Sequence, residues 1–125
     1  MTGEFINNFL YDKKEYGIVI DFFESMLRND FIKILNYMGN NIDYSDYPIG
    51  YNFSDNCDEK DIENGVMFFL FDKNIVVNYT FFYECLKIAC GIYLKSHKND
   101  TEKVEKILNI IKERETFEKT IYLRT

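Results

Sequence analysis

Apolar positions fall into helical spacing at both ends of the chain and into β-prone runs in its middle. Phe5, Ile6, Phe9 and Leu10 recur at i, i+1, i+4 and i+5 and predict a short first helix, broken by Asp12, Lys13 and Lys14. From Glu15 the stripe Ile18, Val19, Phe22, Phe23, Met26 and Leu27, with Asp21, Glu24 and Arg28 opposite, predicts an amphipathic helix. Asn29 and Asp30 offer a stop and a new N-cap. Phe31, Ile34, Leu35 and Met38 then repeat the period until Gly39, Asn40 and Asn41 end it. Residues 41–64 are rich in Asp, Asn, Gly and Tyr without a sustained period. They read as a long loop with a turn around Pro48 and Gly50 and a short strand near Tyr51, Asn52 and Phe53.

Gly65 opens the run Val66, Met67, Phe68, Phe69, Leu70 and Phe71. A turn at Asp72, Lys73 and Asn74 follows, and then Ile75, Val76, Val77, Asn78 and Tyr79, the pattern of a β-hairpin. Its first strand is apolar on both sides, which predicts cover on both faces. Two strands alone are marginal, so a third is expected from residues 41–64 or from Thr120, Ile121, Tyr122 and Leu123. Thr80 reads as the N-cap of a central helix through Phe82, Leu86, Ala89 and Tyr93 to about His97. Asp100 and Thr101 cap a last helix, in which Val104, Ile107, Leu108 and Ile111 turn inward and Lys103, Glu105, Lys106, Lys112 and Glu113 face water. The expected architecture is α+β: a small antiparallel sheet built on a central β-hairpin, packed against N-terminal and C-terminal α-helices.

A length of 125 residues with 46% apolar side chains fits one domain over residues 1–125, able to bury a core of its own. The apolar runs fall far short of the ~20 residues of a membrane span. No basic and apolar leader precedes the first helix, so the expectation is a soluble cytoplasmic protein. Cys57, Cys85 and Cys90 are an odd number at spacings that imply no disulfide framework.

Charge gives the first functional direction. Residues 1–72 hold 14 acidic against 5 basic side chains, net −9, whereas residues 73–125 are net +3. The most one-sided stretch is 41–64, where Asp43, Asp46, Asp55, Asp58, Glu59, Asp61 and Glu63 face only Lys60. Such a surface repels nucleic acid and anionic membranes and suits a basic protein partner. Tyr44, Tyr47, Tyr51 and Phe53 lie within it, and Tyr is a side chain that anchors interfaces. The candidate binding residues are therefore Asp43, Tyr44, Asp46, Tyr47, Tyr51, Asp55, Asp58, Glu59, Asp61 and Glu63.

Little in the chain suggests chemistry. His97, the sole histidine, sits among Lys95, Ser96 and Lys98 at a helix end, where an exposed cation is the ordinary reading. Cys57, Cys85, Cys90 and His97 lack zinc-site spacing, and an EF-hand started at Asp55 puts Cys57 at its third position and Lys60 where Gly is required. No Gly-rich phosphate loop is present, and no cofactor or catalytic residue is expected. Asp58, Asp61 and Glu63 leave open a carboxylate-dependent hydrolase, and an acidic adaptor protein is the other alternative.

One block of residues is more specific. Glu63-Asn64-Gly65-Val66-Met67-Phe68-Phe69-Leu70-Phe71-Asp72, then Ile75-Val76-Val77-Asn78-Tyr79, then Phe81-Phe82-Tyr83-Glu84-Cys85-Leu86-Lys87-Ile88-Ala89-Cys90 with Tyr93-Leu94, resembles the CdiI immunity proteins that accompany ribonuclease toxins of contact-dependent growth inhibition in bacteria. The resemblance is strongest over residues 43–112 and is one of pattern only in the N-terminal helices. It implies a small acidic protein without catalytic apparatus whose partner is a cognate ribonuclease toxin domain with a basic surface. It assigns no individual contact residue.

Overall fold

The computed structural model describes residues 13–53 and 65–124, with side chains for 16–53 and 65–114. The short helix expected at Phe5 to Leu10 lies outside them. Helix α1 (Lys13–Arg28) and helix α2 (Phe31–Gly39) are joined at Asp30, whose side chain accepts from Lys33 N at 3.3 Å as an N-cap. Asn41, at φ 59°, follows the end of α2 in the left-handed conformation that Asn tolerates. Four strands come next: β1 (Tyr44–Asp46), β2 (Ile49–Phe53), β3 (Gly65–Leu70) and β4 (Lys73–Asn78), an antiparallel meander in the order β1-β2-β3-β4. Helix α3 (Tyr79–Ser96), a 3₁₀ turn (Lys98–Asp100) and helix α4 (Thr101–Arg124) complete the chain.

The hydrophobic pattern sets the register. Tyr51 pairs with Phe68 and Phe68 with Ile75, while Phe53 pairs with Val66 and Val66 with Val77. A one-residue slip would turn this inner row to the other face, so the β3–β4 loop is confined to Phe71 and Asp72 rather than the expected Asp72 to Asn74. The third strand comes from residues 41–64 and brings a fourth with it, so that stretch is not one long loop. The C-terminal alternative is excluded, because Thr120 to Leu123 continue α4.

On the inner face Phe22 and Phe23 of α1 and Phe82 of α3 close on Phe68, with ring centroids 5.4, 5.7 and 6.3 Å away. Phe22 meets Tyr51 and Phe82 meets Phe53 edge-on. Burying each of these rings contributes about 1.5–3 kcal/mol before its ordering cost. Glu24, expected on the solvent side of α1, is only 5% exposed, because α1 buries a second stripe with Ile20 one turn before it. The cap of α3 is Asn78, not Thr80: its extended backbone aims Oδ1 at Phe81 N, 2.7 Å away. Arg114 ties α4 to the end of α2, donating to the carbonyls of Met38 (3.0 Å) and Gly39 (2.8 Å) and to the Tyr79 hydroxyl. A cation there also answers the negative end of a helix.

The outer sheet face departs from the expected two-sided cover. Met67 and Phe69 are half-buried and Val76 is exposed. Phe69 lies across Gly50, its cross-strand partner. A Cβ at Gly50 would meet the Phe69 ring at 2.5 Å and the Tyr44 carbonyl oxygen at 2.7 Å, so only glycine admits the ring.

Candidate functional site

The five candidates within the described residues separate into two groups. Tyr51 is fully buried, and its hydroxyl donates to the Ile42 carbonyl at 2.8 Å. Burial, reinforced by the nearby Asp43 carboxylate, raises its phenol pKa well above the ordinary value of 10.0. Tyr51 therefore presents nothing to a partner, which corrects its assignment to the binding surface: strand parity puts it on the inner face with Phe53 and Phe68. Asp43 accepts from Phe53 N at 2.8 Å and fastens the β1–β2 hairpin. Tyr44 is half-buried, stacked on Tyr37 with centroids 5.7 Å apart. Asp46 and Tyr47 are exposed, Tyr47 at 80%. Asp55, Asp58, Glu59, Asp61 and Glu63 lie outside the described residues, as does the carboxylate cluster on which a hydrolase would depend.

Tyr47 has a neighbour that sequence reasoning missed. The β1–β2 turn carries Tyr47 and Pro48, joined by a cis peptide bond, and the β3–β4 turn carries Phe71 and Asp72. The sheet order sets these two turns at the same end, where Phe71 N donates to the Pro48 carbonyl at 2.8 Å. The Tyr47 and Phe71 rings meet edge-on, centroids 6.0 Å apart and planes at 89°, with Phe71 62% exposed. Asp46 and Asp72, both exposed, adjoin the pair along the chain, and Lys73 follows Asp72. Phe53 and Gly65 lie at the opposite end of the sheet, about 13 Å along β2 from the paired turns. A phenylalanine between two β-prone runs is the available signal. It is hidden because the apolar run of β3 continues through Phe71 without a break, which sets the expected turn one residue late.

Elsewhere the polar side chains serve the fold. Tyr93 sits between Phe31 and His97, with ring centroids 4.3 and 4.1 Å away, and its hydroxyl donates to Asp100 at 2.6 Å. His97 is exposed at the end of α3, its Nδ1 3.0 Å from the Tyr93 carbonyl. Cys85 and Cys90 are buried free thiols; burial pushes the Cys90 thiol up to about 12 and raises that of Cys85 as well. Such thiols are protonated and poorly nucleophilic at neutral pH. Among the described residues no group of His, Cys, Asp and Glu is placed to hold a metal ion, and no helix is long and apolar enough to cross a membrane.

No curated protein matches the sequence significantly. A family model described as CDI immunity protein matches residues 7–108, which takes in α1 to α3, all four strands and the start of α4. With that match over most of its length, on the α+β arrangement described above, the chain belongs to the CDI immunity protein family.

Proposed function

We propose that this protein neutralises a ribonuclease toxin of a contact-dependent growth inhibition system by binding the toxin domain in the cytoplasm and keeping RNA out of its cleft. The observation that carries the reading, within a family of immunity proteins, is the one-sided acidity of residues 1–72, net −9 and densest at 41–64. A cleft that holds RNA must present Lys and Arg to phosphates, and a carboxylate-rich surface competes for the same field. It also accelerates encounter, because opposite charge steers diffusion. The toxin-facing set is Asp43, Tyr44, Asp46, Tyr47, Asp55, Asp58, Glu59, Asp61 and Glu63, with Tyr51 removed to the core. The mechanism is occlusion: no bond is made or broken, so neither a catalytic residue nor a cofactor has a role.

The test is co-expression with the toxin domain encoded beside the gene. Protected cells and a complex that co-elutes are expected. Unprotected cells and separate elution would overturn the reading.

A further inference from the structure

We infer that the two hairpin turns form the anchor of the toxin contact, with Tyr47 and Phe71 entering the partner as one preassembled aromatic wedge. The inference rests on the proposed toxin-binding role and says where on the molecule the short-range contact is made. Three observations carry it.

The first is exposure: an edge-to-face ring pair with Tyr47 80% and Phe71 62% exposed leaves most of its apolar area in water. Large rings of this kind supply contact energy at small entropic cost when a partner covers them. The second is backbone conformation. Phe71 has φ 56° in a two-residue hairpin turn, the left-handed region that glycine occupies without strain. A side chain there is strained unless, like Asn or Asp, it bonds to its own backbone, and a bulky apolar one in water recovers none of that strain from the core. The fold alone favours glycine at this turn position, so the ring has another use. The third is rigidity and charge together. The 2.8 Å bond from Phe71 N to the Pro48 carbonyl joins the two turns, so the pair is ordered before any partner arrives. Asp46 and Asp72 flank it against the single cation Lys73, so the tip is net negative and suits a basic surface. The occupant is therefore the basic toxin domain, which would place an apolar recess rimmed by Lys or Arg over the rings.

The experiment compares the wild type with Y47A/F71G for binding to the neighbouring toxin domain, alongside urea unfolding and sedimentation of the free proteins. F71G relieves the positive φ, so the F71G single variant should unfold at equal or higher urea than the wild type while dissociating from the toxin faster. Y47A/F71G should dissociate roughly 100-fold faster, with its association rate within about threefold of wild type. Wild-type binding with unchanged dissociation of the double variant would overturn this inference and leave the proposed function standing. A wild type that does not bind would overturn both. Self-association of the free wild type that the double variant loses would assign the wedge to a second copy of the chain, against the inference.

Discussion

At the scale of single residues, a tyrosine's position in the pleat separates roles that composition merges. Tyr44, Tyr47 and Tyr51 lie within eight residues, yet one is half-buried, one is at a turn and one is in the core. Tyr51→Phe should lower stability by about 1 kcal/mol, since it leaves the Ile42 carbonyl without its donor, and should leave toxin affinity unchanged. Urea unfolding and a binding titration check both halves. Lost affinity at unchanged stability would put the hydroxyl in the interface. The pH dependence follows from the same site. The phenol's folded-state pKa is raised, so its contribution is intact below the unfolded value of 10.0 and declines as pH rises above it. The stability advantage of the wild type over Tyr51→Phe should accordingly shrink above pH 10 and stay constant below it.

At the scale of elements, the amphipathic helices were legible because apolar side chains recur every three or four residues over several turns, as Val104, Ile107 and Ile111 do in α4. The β3–β4 hairpin was legible from its β-branched and aromatic runs. Residues 41–64 were harder: Ile49, Tyr51 and Phe53 alternate with Gly50 and Asn52 for only five positions, between turn-forming neighbours, and β1 has three residues. Strands so short are selected by pairing, β2 with β3 and β1 with β2, which a local pattern does not reveal. The tip contact was illegible for a related reason. Tyr47 and Phe71 are brought together by sheet order, and their separation along the chain carries no trace of it. Helix boundaries are subject to local competition as well, with Asn78 and Thr80 both chemically able to cap α3. Asn78→Ala should cost about 1 kcal/mol and Thr80→Ala less than about 0.5 kcal/mol in urea unfolding. The reverse order would return the cap to Thr80.

At the scale of the whole molecule, the helices bury one face of the sheet, and the sheet holds two turns at one end with Phe53 and Gly65 at the other. On the proposed reading, acidity serves encounter and aromatic contact serves retention. Exchanging Asp55, Asp58, Asp61 and Glu63 together for Asn or Gln should slow association with the toxin domain and flatten its salt dependence, while dissociation changes little. Stopped-flow traces at two salt concentrations read this. An unchanged association rate would move the electrostatic face elsewhere, with the α4 surface around Glu102 and Glu105 next in line. The most direct measurement is RNA cleavage by the purified toxin domain titrated with this protein. Cleavage should fall linearly and end at one equivalent, with excess RNA restoring little of it. Full cleavage in the presence of excess protein would contradict neutralisation by occlusion.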